Sequence, residues 1–170
     1  MRNVLVLAFL LFACLVIACC VAEEGSSLAR GFNEKIHWVS YEDGLKRAKE
    51  ENKPAFVLLH KSWCGACKRL KPAFAGSTEV EQLSEKFVMI NAEDDEEPHA
   101  NPAFALDGSY IPRIIFMSAE GTVLPEIYNE GGNAKYKYFY SSPEQIVTVM
   151  NKALSHVESL RLQQQRGDEL

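Results

Sequence analysis

Cys64 and Cys67 stand two residues apart in Trp63-Cys64-Gly65-Ala66-Cys67-Lys68, directly after the apolar run Ala55-Phe56-Val57-Leu58-Leu59-His60. A strand that delivers a cysteine to the start of a helix sets its sulfur over unpaired N–H groups at the positive end of the helix dipole, which favours thiolate. Cys64 is therefore the candidate nucleophile. Cys67, one turn deeper, lies within reach of a mixed disulfide on Cys64 and is the candidate resolving thiol. Gly65 and Ala66 are small enough to let a substrate backbone come close, Trp63 can cover the sulfurs, and Lys61 and Lys68 are candidate tuning charges. Two other uses of paired cysteines compete. Zinc needs four ligands, and of His37, His60, His99 and His156 only His60, four residues before Cys64, shows ligand spacing, so no metal is expected. The other rival is an inert structural disulfide, but strand, Cys-x-x-Cys, helix is the setting of a redox motif.

The surrounding chain has 170 residues, 47% hydrophobic and 24% charged, which suits one globular domain with one core. Its net charge of −5, from 18 basic and 23 acidic residues, comes with no basic run longer than Lys68-Arg69. That leaves no electrostatic footprint for nucleic acid or an anionic membrane surface. Of the five cysteines, Cys14, Cys19 and Cys20 fall in the first 20 residues, so only Cys64 and Cys67 belong to the domain.

Both ends read as addresses. Arg2 precedes an apolar stretch from Val4 to Ala22, with Cys20 and Ala22 at the −3 and −1 positions of a cut before Glu23, the pattern of a secretory signal. An uncleaved anchor is the alternative, since about 20 apolar residues span a bilayer, and only that form would put the protein on a membrane. Val16-Ile17-Ala18-Cys19 also allows a lipoprotein box, against which the other terminus speaks. Gly167-Asp168-Glu169-Leu170 matches the last three residues of the Lys-Asp-Glu-Leu retrieval signal, and a retrieval receptor is the partner it implies. The pair of addresses predicts the lumen of the endoplasmic reticulum. No Asn-x-Ser/Thr sequon is present. The expected layout is a signal peptide over 1–22, a flexible lead-in over 23–31, the domain over 32–162 and a tail over 163–170.

The elements that must hold the two cysteines follow from patterning. Ser40 with Asp43 three residues on opens a helix through about Glu51, with Leu45 and Ala48 inward, stopped by Asn52-Lys53-Pro54. The run 55–60 predicts a strand buried on both faces. Helices from Cys64 to about Ala75 and from Thr78 to Lys86 lead to a second buried strand over 87–91, which makes a parallel crossover unit. A short helical patch at 102–106 precedes strands 113–117 and 122–124, paired as an antiparallel hairpin about Ser118-Ala119-Glu120-Gly121. Ser142, Pro143 and Gln145 start a last helix whose inward face is Ile146, Val149, Met150, Ala153, Val157 and Leu160. The class is α/β, with a mixed central sheet covered by helices on both faces. Met89, Met117 and Met150 sit in core patterns, Gly131-Gly132-Asn133 reads as a turn, and Tyr136, Tyr138, Phe139 and Tyr140 read as packing.

These residues resemble the thioredoxin family. Trp63 to Cys67 matches its Trp-Cys-x-x-Cys, Pro72 falls five residues after the second cysteine where the family kinks this helix, and Ile111-Pro112 matches its cis-proline before a hairpin strand. More narrowly, the chain is similar to small single-domain proteins of the endoplasmic reticulum grouped with the anterior gradient proteins. The carrying segments are 60–68, 87–89, 93–98, 110–113 and 136–140, spread over about residues 32 to 160. The resemblance implies a thioredoxin fold and a luminal thiol–disulfide oxidoreductase of the protein-disulfide reductase or isomerase type, acting on protein or glutathione thiols without a resident cofactor. It also implies a cis Ile111–Pro112 bond against Cys64, a geometry that proline adopts at a cost of only about 0.5–1 kcal/mol. Trp63, Gly65, Ala66, Ile111 and Pro112 then form the substrate groove. Anterior gradient proteins lack the second cysteine, which this chain keeps. A second departure is Leu58, standing where many relatives carry a buried acid that takes the proton of the second cysteine. Glu93 and Asp94 are candidate substitutes, with a solvated acidic loop the plainer reading. On compartment grounds the potential is expected nearer the isomerase value of about −180 mV than thioredoxin's −270 mV. The rival function is a luminal client-binding, chaperone-like module that forms mixed disulfides without turnover.

Overall fold

The computed structural model describes residues 28–96, 98, 102–104 and 106–168. The expected signal segment, the lead-in up to Ser27, His99, and Glu169 and Leu170 lie outside them.

Four strands form one sheet in the order β1-β3-β2-β4: β1 (Trp38–Val39), β2 (Ala55–His60), β3 (Val88–Glu93) and β4 (Arg113–Met117). β3 is parallel to β1 and to β2, with Val57 beside Ile90 and His60 beside Glu93, while β4 runs antiparallel to β2. The sheet is therefore mixed, as expected, and β2 is buried along its whole length. Side chains alternate across it. Phe56, Leu58, Met89, Ile114 and Phe116 face one core, and Ala55, Val57, Leu59, Ile90, Ile115 and Met117 face the other. The two-residue β1 was not anticipated, because its signal is too short to show alternation.

Helix α1 (Tyr41–Glu51) covers the second face. The Ser40 side chain accepts the Asp43 N–H at its start, and Asn52 closes it in the left-handed region with φ 50°. Helix α2 (Gly65–Ala75), helix α3 (Thr78–Ser84) and helix α4 (Pro143–Asp168) are associated with the first face through Leu70, Phe74, Val80, Ile146, Val149, Met150 and Ala153. Tyr138 and Tyr140 are buried as packing, whereas Tyr136 is exposed.

Several expectations need correction. Residues 122–124 form no strand: Val123 makes one antiparallel bridge to Met117, and the Leu124 N–H donates to the Phe116 carbonyl at 2.9 Å. Pro125 follows at once and has no N–H to extend a ladder. Helix α4 continues past the expected domain boundary through Asp168, so the described part of the expected tail is helical across Gln163-Gln164-Gln165-Arg166, all good helix formers. Leu160 is not inward, being 42% exposed, because the packed face of that helix ends near Val157. The start of the helix at Pro143 is as expected, with the Ser142 carbonyl accepting the Ile146 N–H at 3.4 Å, and Ser141 adds a brace by donating its N–H to Gln145 Oε1 at 2.9 Å. The described end of the lead-in also belongs to the domain: Ala29 is fully buried, and Arg30 pairs with Glu96 at 2.5 Å.

Candidate active site

Helix α2 begins at the cysteine pair. Cys64 is its N-cap, with extended backbone (φ −72°, ψ 119°), and the Cys64 sulfur accepts the Cys67 N–H at 3.1 Å. This is the position where an N-cap side chain satisfies an otherwise unpaired donor and where the helix dipole favours negative charge. Cys64 and Cys67 form a disulfide, with Cα atoms 5.3 Å apart. That span lies within the range a disulfide accepts. The outer sulfur belongs to a residue 6% exposed, and Cys67 is fully buried. A partner can therefore approach only Cys64.

The wall facing the sulfur comes from the segment leading into β4. The Ile111–Pro112 peptide is cis, and the Ile111 carbonyl oxygen lies 3.9 Å from Cys64 Sγ. Pro112 is buried, Ile111 is half-buried, Gly65 is exposed, and Trp63 presents its ring to solvent at 72% exposure. Tyr110 anchors this segment from behind. Its hydroxyl donates to the Asp107 carboxylate at 2.8 Å and accepts the Tyr138 N–H at 2.9 Å. Burial, with Asp107 beside it, pushes the Tyr110 hydroxyl far above the ordinary tyrosine range, so it stays a donor.

The candidate tuning residues divide. Lys61 donates to the Asp94 carbonyl, and the Asp94 carboxylate accepts the Ser62 N–H at 2.9 Å, which holds that carboxyl below its ordinary range. Both thus brace the loop into Cys64. Lys68 is exposed on the first turn of α2. Glu93 is not part of a solvated loop. It is the last residue of β3, its side chain is 22% exposed, and it faces Arg30 at 3.7 Å, His60 at 3.4 Å and Lys71 at 3.8 Å. The vacant acid position, Leu58, is fully buried among apolar side chains. Among the described residues no group of three or more His, Cys, Asp or Glu could hold a metal ion.

A family model described as thioredoxin-like matches residues 37–119, which includes β1 to β4 and both cysteines. Anterior gradient protein 1 of Xenopus tropicalis is 37% identical over 135 residues, 78% of this chain and 71% of that protein. The chain belongs to the anterior gradient protein family. Anterior gradient protein 3 of Mus musculus is 34% identical over 136 residues, 78% of this chain and 80% of that one. Among solved structures, a disulphide isomerase from Xylella fastidiosa Temecula1 superposes with a TM-score of 0.44 at 18% identity, over 65% of this chain and 86% of its own. The fold of this anterior gradient protein is thioredoxin-like, and its Cys64–Cys67 disulfide sits at the helix start facing the Ile111 carbonyl.

A buried polar pair escaped the sequence reading, in which His60 stood only as a possible zinc ligand. His60 is 1% exposed and Asn91 fully buried, both on core-facing positions of apolar strands. The signal was there, in a histidine and an asparagine closing two runs that otherwise bury only apolar side chains, but their pairing depends on the register of β2 and β3.

Proposed function

We propose that this protein is a thiol–disulfide oxidoreductase of the endoplasmic reticulum lumen, exchanging disulfides with protein thiols and with glutathione as a co-substrate. One observation carries the reading: a Cys64–Cys67 disulfide whose outer cysteine caps helix α2 and faces the backbone carbonyl of Ile111. Reduced, Cys64 is stabilised as thiolate by the Cys67 N–H and the helix dipole. It attacks a client disulfide, the client S–S bond breaks, one client thiolate leaves, and a Cys64–client disulfide forms. Cys67 then loses its proton and attacks Cys64 Sγ, expelling the second client thiolate and restoring the Cys64–Cys67 bond. Two electrons pass to the client. Trp63, Gly65, Ala66, Ile111 and Pro112 line the proposed groove, in which an extended client segment lies beside Cys64. No resident cofactor enters the step.

The luminal placement is supported by the signal-like residues 1–22 and by Gly167-Asp168-Glu169-Leu170, which a retrieval receptor would read. Because it keeps both cysteines, we read the chain as resembling thioredoxin domain-containing protein 12 within the anterior gradient group.

The test is to trap the intermediate. Cys67→Ser keeps the nucleophile without its resolver and is expected to accumulate mixed disulfides with a peptide disulfide, while Cys64→Ser is expected to abolish exchange. Full turnover by Cys67→Ser would overturn the two-cysteine mechanism, and a wild type that forms mixed disulfides but never resolves them would leave the client-binding module as the reading.

A further inference from the structure

We propose that the buried His60, with Glu93 beside it, receives the proton that Cys67 loses in the resolving step. The inference rests on the exchange mechanism above and fills the role that Leu58 leaves vacant. His60 Nε2 lies 2.6 Å from Asn91 Oδ1, and the Asn91 amide donates to the Leu28 carbonyl at 2.7 Å and the Ala29 carbonyl at 3.2 Å. With both its protons engaged, Asn91 can only accept from the ring, so the neutral imidazole carries its hydrogen on Nε2. The other nitrogen, Nδ1, is buried, has no hydrogen-bond partner among the described residues and lies 3.4 Å from Glu93 Oε1. A bare ring nitrogen facing a carboxylate is an empty proton seat.

Its surroundings fit a proton that comes and goes. The charged groups around the ring are Arg30 from the lead-in, Lys71 from α2, Glu93 from β3, and Asp94 and Glu96 from the turn after it. With Glu93 ionised, three carboxylates and two cations leave one negative charge for an imidazolium to balance. Burial, the largest effect, holds His60 below its ordinary value of 6.5 while Asn91 and Glu93 oppose it, which keeps the ring in the unprotonated form a base needs.

The seat is on the side of the resolving cysteine. His60 shares the strand face of Phe56 and Leu58, and Asn91 and Glu93 share that of Met89, the face on which α2 packs. Cys67, Lys71 and Phe74 lie on one face of α2, four and seven residues apart. Lys71 Nζ is 3.8 Å from Glu93 Oε1, and the Phe74 ring packs 5.5 Å from Phe32, whose ring centre is 4.9 Å from that of His60. In the step, the Cys67 S–H bond breaks and its electron pair forms the bond to Cys64 Sγ. The client sulfur leaves with the electrons of the mixed disulfide, and the proton ends on His60 Nδ1 against Glu93. The reverse reaction returns it.

The reduced full-length protein is mixed with oxidised glutathione, and the two successive releases of reduced glutathione are timed from pH 6 to 8. The ratio of the second rate to the first is expected to fall at least tenfold at pH 7 in both Glu93→Gln and His60→Gln, and to rise with hydroxide there as it does not in the wild type. A ratio unchanged in Glu93→Gln would overturn the proposal. Absence of a second release in the wild type would instead overturn the exchange mechanism itself. A measurement on the unaltered protein guards against loss of folding: the imidazole ¹⁵N shifts of His60 at pH 7 are expected to show Nε2–H and a bare Nδ1. A neutral ring protonated on Nδ1 would equally overturn the proposal.

Discussion

Cys64 differs from Cys67 in exposure, in hydrogen bonding and in what it faces, and these differences support the two proposed roles more strongly than their spacing does. The motif was legible in the sequence because its chemistry is local: a strand, a cap and one helical turn decide which sulfur is outermost. The groups that prepare the site were less legible, because they meet across the fold. Asp94 reaches back to Ser62 and Lys61, and Tyr110 reaches forward to Tyr138, contacts separated by 28 to 33 residues. Tyr110 gives a test at this scale. Tyr110→Phe removes the donor to Asp107 and leaves the Tyr138 N–H without its acceptor, so stability should fall by about 1–3 kcal/mol. Urea unfolding reads this as a lower midpoint at unchanged slope, and an unchanged midpoint would mean that Tyr110 does not anchor the Ile111 segment.

The long periodic elements were placed from the sequence to within a residue or two, since capping and alternation are themselves local rules. The errors fall where tertiary packing decides: the bridge at Val123 that never becomes a strand, and Leu160 on a helix that outruns its core. Glu93 was placed at the edge of a loop because nothing in the sequence marks where a parallel ladder ends. Helix α1 shows how tightly the layers meet. A Cβ at Gly44 would run into Cγ1 and Cδ1 of the buried Ile90 and lie 3.3 Å from Val39 Cγ2. Alanine favours a helix interior over glycine by up to about 1 kcal/mol, whereas overpacking a filled interface costs about 1–3 kcal/mol. Gly44→Ala is therefore expected to lower the thermal midpoint, and a rise would show that α1 has room to shift.

For the whole molecule, the charges of the Arg30 and His60 cluster tie the lead-in, β2, β3 and α2 together, so acid should loosen these parts in concert. His60 sits below its ordinary 6.5 in the folded protein, so the unfolded chain takes up that proton first and stability declines as the pH drops through 6.5. Glu51 and Glu96, ordinarily near 4.5, are held low by hydrogen bonds from Arg47 and Arg30, and Asp94 by the Ser62 N–H. Their contribution is present above their ordinary values and is lost on further acidification. Urea midpoints of the oxidised protein should fall in two stages between pH 7 and 3, and a single late fall would show that His60 is not buried as a neutral ring. The central claim, that the Cys64–Cys67 bond is made and broken in use, is tested most directly by equilibrating the protein in glutathione redox buffers and counting alkylated cysteines by mass. The account predicts a reversible two-electron transition within the glutathione range, nearer about −180 mV than −270 mV. A pair that stays oxidised throughout, as structural disulfides with potentials below about −300 mV do, would contradict it.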